Sequence, residues 1–486
     1  MQSFQQERPN SFCKLVKTFD AGFPMGNVES ALSFVDESMQ SGKVGAVSKC
    51  IVWLCLSFKE LPPDFRNGEA QASLLRPNEL IDRCIAKVEA LYQANSTPAC
   101  NIDFVQALIL QHELFVSIGR PKKAWKCIRA GIENGLLLGL HHGRSSLERG
   151  VWEELWMRDR QLSLFLGLPH AVPENLAAKK SEDKYSNPEK EAFRKIATVS
   201  GLIIERNQMG RDTPYLTITR ILEEMKNLKE EIPQHWGTKE DLEDAFCLSQ
   251  VFIHANIRLL YHALELMIHL PYSQIAKQEK DLAYTRKATM EAAEAIIKSH
   301  EDMRALEVKP YVPMRVDFLD FLGFKAALVL AEDLLSEKNS RAAEEAKRLW
   351  NLIINLAFRL RGADEAFSNS IAKQAAATLE VLHGASEGVL LWSGTYQVTI
   401  PYFGRLKICE VTEEAQQHTR RHQDSGPKMI VVEMESNYFT FGVPNEQVTE
   451  LELAADWMTE VNSALEYDWK GIYEFDMWEP CLGNDN

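Results

Sequence analysis

The sequence of 486 residues contains nine cysteines but no Cys-x2-Cys pair. The cysteines are scattered along the chain, at positions 13, 50, 55, 84, 100, 127, 247, 409 and 481. A zinc cluster needs closely spaced cysteine ligands, and a small disulfide-stapled fold needs a dense cysteine framework. We therefore expect neither of these in this sequence, and we expect reduced, mostly buried thiols.

The motifs that hold nucleotides and metal ions are also missing. The sequence has no G-x-G-x-x-G fingerprint, no P-loop, no H-E-x-x-H motif and no calcium loop. We therefore expect no cofactor and no metal site. Acidic residues are in excess, with a net charge of −15. Because clustered Lys and Arg bind the phosphates of DNA, we expect no direct DNA binding by this chain.

Long apolar runs are missing as well. The N-terminus, MQSFQQERPNSF, has no apolar core that could serve as a signal peptide. No uninterrupted apolar stretch reaches the ~20 residues of a membrane-spanning helix. We therefore expect no membrane association and a location in the nucleus or the cytoplasm.

Residues 102–169 carry the clearest pattern in the chain. Apolar residues recur there at helical spacing in three stretches, which end at glycines: Gly119, Gly139 with Gly143, and Gly167. Pro121 opens the second stretch, where a first helical turn tolerates a residue without an N–H. Three amphipathic helices connected this closely must bury their apolar faces against one another.

The third stretch places Asp159 on the same helix face as Trp152 and Trp156. An unpaired carboxylate on that face would be costly to desolvate, so it needs a partner. The candidates are Arg120, Arg129 and Arg160, and we favour a buried ion pair over a carboxylate that faces a ligand. If a ligand binds between the helices, we expect it to contact five residues: Trp125, His141, Trp152, Trp156 and Asp159.

The histidines allow two interpretations. His141 follows the second helix, where the helix dipole favours it as a cap, although it could also donate a hydrogen bond to a ligand. His254 and His262 share a helix face with Arg258, whose charge repels a metal cation. We expect these two to be solvated or hydrogen-bonded histidines rather than metal ligands.

Three runs follow one another in the central region: GRPKKAW, GLLLGLHHG and WMRDRQLSLFLGLPHAVPE. In this order they resemble the middle regulatory domain of fungal zinc-cluster transcription factors. The matching positions are Trp125, Gly139, Leu140, His141, Trp156, Asp159, Arg160, Leu162, Ser163, Gly167 and Pro169. Weaker similarity extends from about Ala46 to Tyr438. The resemblance implies an all-helical regulatory or ligand-sensing domain, but one that lacks the N-terminal zinc cluster of that family.

We predict four parts along the chain. They are a flexible arm (1–28), an α-helical regulatory-type domain (29–385), a small β-containing extension packed on the helices (386–463) and an acidic-aromatic tail (464–486). Within the second part, prolines such as Pro271 are expected to separate the helices. The predicted fold class is mainly α, an irregular multi-helix array with a small C-terminal β-hairpin or sheet.

The last hundred residues carry the signals for the β element and the tail. Four short β-branched or aromatic segments, at 395–400, 405–411, 429–434 and 438–443, are typical of strands. Beyond them, aromatic residues alternate with acidic ones from Tyr467 to Glu479. Such a tail either binds a coactivator or folds back to bury its rings on its own domain.

We favour a ligand-sensing transcription regulator without its own DNA-binding module, which controls a fungal metabolic or secondary-metabolite pathway. Its expected partners are a hydrophobic small molecule and either a DNA-binding protein or a coactivator bound through the tail. The alternative is a cofactor-independent enzyme, a cyclase or isomerase such as a pericyclase, that folds a polyketide or terpenoid in a helical pocket. A third reading is that an upstream exon encoding a zinc cluster is missing from the sequence.

Overall fold

The computed structural model describes most of the chain between Val28 and Glu435. The described residues are 28–59, 77–94, 101–177, 187–209, 215–238, 241, 248–273, 283–307, 317–336, 342–361, 370–387, 396–400, 404–410 and 430–435. The predicted tail and nearly all of the predicted arm lie outside them, so both stay predictions. The division into four parts is likewise a prediction that the structure does not test.

Thirteen α-helices occupy the described residues up to Ser386. They are α1 (Val28–Gln40), α2 (Val44–Lys59), α3 (Pro77–Ala94), α4 (Ile102–Ser117), α5 (Pro121–Leu137), α6 (Ser146–Leu166), α7 (Pro188–Met209), α8 (Tyr215–Glu231), α9 (Leu248–Ser273), α10 (Ala283–Glu307), α11 (Asp317–Ser336), α12 (Ala343–Arg361) and α13 (Ser370–Ser386). Two short 3₁₀ turns, Leu140–His142 and Glu174–Leu176, flank α6.

The ends of the central helices follow from local chemistry, as the sequence predicted. Gly139, Gly143 and Gly167 all adopt left-handed φ values, of 72°, 59° and 65°. An L-residue with a side chain would be strained in that region. A reciprocal capping box starts α6, because Ser145 accepts from the Glu148 N–H while the Glu148 carboxylate accepts from the Ser145 N–H. The three helices predicted over residues 102–169 are confirmed.

The core forms mostly between helices that are close to one another in the chain. The principal contacts join α2 to α4, α4 to α5, α5 to α6 and α6 to α7, and then α9 to α10 and α10 to α11. Helix α7 packs on α9, and α4 also contacts α11, so the two groups of helices share one apolar core. The predicted irregular array of helices is what the described residues show.

Helix α9 departs from the prediction at Pro271, which was expected to end a helix. Pro271 instead lies inside α9. Proline has no N–H to donate to the carbonyl four residues earlier, which belongs to Met267. The buried Arg206 from α7 takes over this role: its Nη2 donates to the Met267 carbonyl at 2.9 Å and its Nη1 to the Ile268 carbonyl at 2.8 Å.

Part of α9, Gln250–Ser273, is long and apolar enough to cross a membrane when judged by length and composition alone. Of the most apolar stretch in this segment, 67% is buried against the other helices. The core helix of a folded domain has the same composition, so this segment is weak evidence for a membrane span.

The predicted fold class needs a correction at the C-terminal side. All the elements whose side chains the structure describes are helices, and no strand is among them. Three short extended segments, Tyr396–Ile400, Gly404–Glu410 and Ile430–Glu435, pair only with one another, in antiparallel order. None of the principal contacts between described elements joins them to a helix. A β-hairpin or sheet packed on the helices is therefore not supported, and all the elements whose side chains the structure describes are helices. Local β propensity predicts extended backbone, but only tertiary packing can make a strand part of a fold.

Candidate functional site

Asp159 is the centre of a polar network between α5 and α6. Its side chain is fully buried, and Nε of Arg129 lies 3.2 Å from Oδ1. The Ala171 N–H donates to Oδ2 at 2.6 Å, and the Ser163 hydroxyl donates to Oδ1 at 3.3 Å. Burial raises the pKa of Asp159, whereas Arg129 and the Ala171 N–H oppose that shift. The interpretation of Asp159 as a member of a buried ion pair is confirmed.

Of the three arginines proposed as partners, only Arg129 has a described contact with Asp159. Arg120 instead donates to Asp82 at 2.7 Å, on the exposed side of the helices. Arg160 donates to Glu174 at 2.8 Å and to the Val172 carbonyl at 3.3 Å. The partner is therefore decided by which helix faces which, and not by distance along the sequence.

Trp125 belongs to the same network. Its indole N–H donates to the Ser163 hydroxyl at 3.0 Å, and the Arg129 guanidinium lies over its ring at 4.5 Å. Arg129 also donates to Ser163 at 3.3 Å and to the carbonyl of Pro169. These contacts tie α5, α6 and the turn after α6 together.

Trp152 and His141 form a second contact, near the N-terminal end of α6. The Trp152 indole N–H donates to the Leu176 carbonyl at 2.9 Å, and the His141 ring lies 5.8 Å from the Trp152 ring. His142 packs against His141 with ring centroids 3.9 Å apart. Burial, with a smaller effect of His142, lowers the pKa of His141, which favours the neutral imidazole. Within the described residues, Nδ1 of His141 has no hydrogen-bond partner.

Trp156 lies between two guanidinium groups. Arg160 stands 4.7 Å from its ring centroid and Arg194 stands 5.7 Å from it. Such contacts between a cation and an aromatic face are stronger when water is excluded, and Trp156 is buried. A Cβ at Gly201 on α7 would lie 2.1 Å from Nη1 of Arg160, so a larger residue at this position would force the Arg160 side chain to move.

The five predicted ligand contacts lie on α5, on the turn at Leu140–His142 and on α6, a region that we call the wall, and their described contacts form three separate groups. Trp125 and Asp159 share the Arg129–Ser163 network, Trp152 meets His141, and Trp156 is held by two arginines. These contacts lock helices together, and nothing described tests whether a ligand binds here, so the ligand-binding role of the wall stays a prediction. Sequence reasoning missed Ala171, Arg194 and Gly201, which no spacing rule connects to the wall.

His254 and His262 of α9 are hydrogen-bonded, as expected. His254 is buried, with Nδ1 2.9 Å from Asp241 and Nε2 3.2 Å from Glu189, and the Trp236 ring is stacked on it at 4.0 Å. The His254 hydrogen bond is the main cause of a lowered pKa for Glu189. His262 contacts Glu265 at 2.9 Å. No group of three or more His, Cys, Asp or Glu side chains that could hold a metal ion occurs among the described residues.

The sequence is similar to those of several fungal regulators. The chain is 21% identical over 430 residues to a dehydrocurvularin biosynthesis regulator from Aspergillus terreus, with 78% of this chain and 58% of that protein covered. It is 22% identical over 251 residues to the transcription factor eupR from a Phoma species, with 48% of this chain and 54% of that protein covered. It is 19% identical over 324 residues to the transcription factor sdnS from Sordaria araneosa, with 63% of this chain and 42% of that protein covered.

The chain spans about half the length of these curated relatives, between 42% and 58%. No protein-family profile matches it, and no solved structure matches it. Identity is low, but the aligned stretches cover much of the chain. The chain is therefore related, at low identity over much of its length, to fungal transcription regulators.

Proposed function

We propose that this chain is the regulatory part of a nuclear fungal transcription regulator that controls a biosynthetic pathway in response to a small hydrophobic molecule. The observation that carries the proposal is the alignment with a biosynthesis regulator over 430 residues. An alignment of that length extends well beyond the short motifs of α5 and α6. It therefore relates this chain to the regulator through many helices and not through one motif.

Contact with DNA is proposed to lie outside this sequence. No Cys-x2-Cys pair is present in the 486 residues, and the net charge is −15. Zinc-cluster recognition needs metal-bound cysteines, and phosphate binding needs clustered cations. In this proposal a partner protein or a further segment binds the promoter, while the helices sense the molecule.

Deletion of the gene, followed by transcript and metabolite profiling, tests the regulatory role. Loss of a regulator lowers the mRNAs of a set of pathway genes together, and their products disappear. An enzyme predicts a different result, in which those mRNAs persist while one precursor or a wrongly cyclised product accumulates. That second result would refute the proposal and support the enzyme alternative.

The acidic-aromatic tail is proposed to bind a coactivator. Residues 464–486, fused to a foreign DNA-binding domain, are expected to activate a reporter gene. A matched control replaces Trp469, Phe475 and Trp478 with alanine, which keeps the charge but removes the rings that would enter a coactivator groove. A silent wild-type fusion would remove the tail from the proposal, and equal activity of both fusions would remove the aromatic residues from it.

A further inference from the structure

Helix α12 presents an aromatic ring to solvent near its C-terminal end. Phe358 is 76% exposed, the highest value among the large hydrophobic side chains that the structure describes. Ile354 and Trp350 precede it at steps of four residues, so the three side chains follow one side of the helix. Both are partly exposed, and the Trp350 ring meets the His383 ring of α13 edge to face at 5.3 Å. We call Trp350, Ile354 and Phe358 the α12 strip.

The α12 strip lies away from the side of the helix that packs on the core. Helix α12 contacts α10, α11 and α13. Its buried residues are Leu349, Ile353, Leu356, Ala357 and Leu360. One exposed apolar side chain is ordinary on a protein surface. A strip at helical spacing that ends in an exposed ring is instead typical of a face on which another segment docks.

Cationic side chains border the α12 strip at both ends. Between residues 346 and 361 the helix has four cations and no acidic residue: Lys347, Arg348, Arg359 and Arg361. The three arginines are exposed and form ion pairs with glutamates of α10 and α13. Exposed pairs of this kind contribute little to stability, so they do not prevent an arginine from meeting a further carboxylate.

The C-terminal tail, residues 464–486, has the composition that suits this face. Its net charge is −5, from six acidic residues and one lysine. Its aromatic residues are Tyr467, Trp469, Tyr473, Phe475 and Trp478. Aromatic rings cover an apolar strip well, and carboxylates next to them favour a cationic border. Leu222 on α8 offers a poorer face, because the exposed leucine is followed by Glu223 and Glu224.

The position of α12 in the chain allows the tail to reach it. Helix α13 packs on α12 and ends at Ser386, and residues 387–463 connect it to the tail. Helix α12 is about 28 Å long, whereas an extended chain covers about 3.3 Å per residue. A small part of the connection is therefore long enough. A second copy of this chain suits the strip less well, since two α12 helices face to face would bring like charges together.

We propose that the acidic-aromatic tail docks on the α12 strip of its own chain. Rings of the tail pack on Ile354 and Phe358, and its carboxylates lie beside Lys347 and Arg361. The docked rings are not available to a coactivator groove, so docking holds the tail inactive. The inference deepens the proposed function, on which it rests for this consequence but not for the docking itself.

Photo-cross-linking of the purified full chain tests the docking. Phe358 is replaced by p-benzoyl-phenylalanine, an aromatic residue that, when irradiated, bonds to groups in contact with it. We expect position 358 to become attached to peptides from residues 464–486, identified by mass spectrometry, in a product with the mass of one chain. The same replacement at the exposed Leu222 is the matched control and should give a yield of tail cross-links at least about fivefold lower.

Variants separate the contribution of the rings from that of the charges. Alanine at Trp469, Phe475 and Trp478 changes no residue of a described helix, and it should lower the yield at position 358 by about fivefold or more. The exposed Lys347→Glu should lower the yield by about twofold or more, because it repels the acidic tail. The exposed Lys87→Glu on α3 carries the same change of charge away from the strip and should leave the yield unchanged.

Three results would overturn the inference. They are the absence of tail peptides from the product at position 358, a cross-linked product with the mass of two chains, and a yield that the alanine variant of the tail does not lower. The second result would assign the strip to another copy of the chain. The first and the second need no variant of α12 other than the probe itself.

Failure of the docking is distinct from failure of the proposed function. A cross-link to the tail together with a silent tail fusion refutes the coactivator role and leaves the docking in place. An active tail fusion without the cross-link refutes only the docking. If both hold, Phe358→Glu in the full chain fused to a foreign DNA-binding domain should raise reporter activity several-fold above that of the unsubstituted fusion. Equal activity of these two fusions would refute the inactivation by docking.

Discussion

The wall between α5 and α6 and the core around Lys325 on α11 both bury a charged side chain, but the described surroundings of the two side chains differ. On the wall, the Asp159 carboxylate accepts hydrogen bonds from a backbone N–H and a hydroxyl, and Arg129 pairs with it. On α11, the amine of Lys325 lies 3.5 Å from the sulfur of Met267 and 5.9 Å from the centroid of the Phe321 ring. The hydrogen bonds and the ion pair of Asp159 oppose the rise in its pKa that burial causes. Burial lowers the pKa of Lys325 to about 7, so the two regions differ in the sign of the charge that burial disfavours.

The Asp159→Ala substitution tests the ion pair between α5 and α6 and should have the largest effect on stability. It leaves the partly buried Arg129 without its carboxylate, and breaking a buried pair in this way costs about 3–5 kcal/mol of unfolding free energy. Urea unfolding followed by circular dichroism measures the loss. The exposed Arg120–Asp82 pair supplies the control, since Arg120→Ala should cost less than about 1 kcal/mol. Similar small losses for both variants would mean that the wall is not locked by Asp159.

His112 adds to this comparison a buried side chain that stays neutral in the folded chain. Its Nδ1 lies 3.2 Å from the Ala124 carbonyl, and burial lowers its pKa from 6.5 to about 4. Between these pH values the unfolded chain binds a proton that the folded chain does not, so stability falls as the pH drops. The decrease attributable to His112 is about 3 kcal/mol.

Urea unfolding at a series of pH values measures this effect. His112→Asn keeps a donor for Ala124 without a titrating group, so its stability should change less between pH 6.5 and 4 than that of the wild type. The exposed His235→Asn variant is the control, and its stability should change with pH as that of the wild type does. Parallel profiles for His112→Asn and the wild type would show that His112 is protonated in the folded chain.

The Arg206–Pro271 relation tests whether a side chain replaces the hydrogen bond that a proline removes from α9. Arg206→Met leaves the Met267 and Ile268 carbonyls without this donor and should cost about 2 kcal/mol. Pro271→Ala restores a backbone N–H for Met267, so it should recover about 1 kcal/mol in the Arg206→Met background. In the wild-type background the same change should have a smaller benefit, because Arg206 already serves that carbonyl. Strictly additive effects in this double-mutant cycle would contradict the coupling.

The smallest expected effect is that of Trp125→Phe. This change removes the hydrogen bond to the Ser163 hydroxyl and should cost about 1 kcal/mol. Chemical denaturation with guanidinium chloride measures it. Ser163→Ala removes the same bond from the other side, so the double variant should lose less than the sum of the two single losses. A full additive loss would show that the two side chains do not interact in solution.

Helix positions in the centre of the chain could be predicted because their signals are local. Pro121, Gly143 and Gly167 act through their own backbone angles and through a missing N–H, which depend little on distant residues. The burial of Asp159 could also be predicted from the tryptophans on its helix face. The same reasoning failed at Pro271, since it assumed that nothing outside the helix could satisfy the carbonyl that a proline leaves free.

The candidate site could be predicted in part. Arg129 was one of three candidate partners for Asp159, but the sequence could not decide among them. Arg194 and Gly201 contact the region from α7, and no spacing rule predicted them. The burial of Lys325 gave no sequence signal, because Lys325 resembles any other lysine until the helices around it are placed.

By itself the sequence determined the helical character of residues 102–169, the helix ends at the glycines and the need of Asp159 for a partner. These features depend on backbone geometry and on the cost of desolvating a charge, which act at the residue concerned. Only the tertiary structure decided that Arg129 pairs with Asp159, that Arg206 supports α9 at Pro271, and that Lys325 is buried beside Met267. Each of these contacts joins residues far apart in the chain, and their energies depend on distances that exist only after the helices have packed.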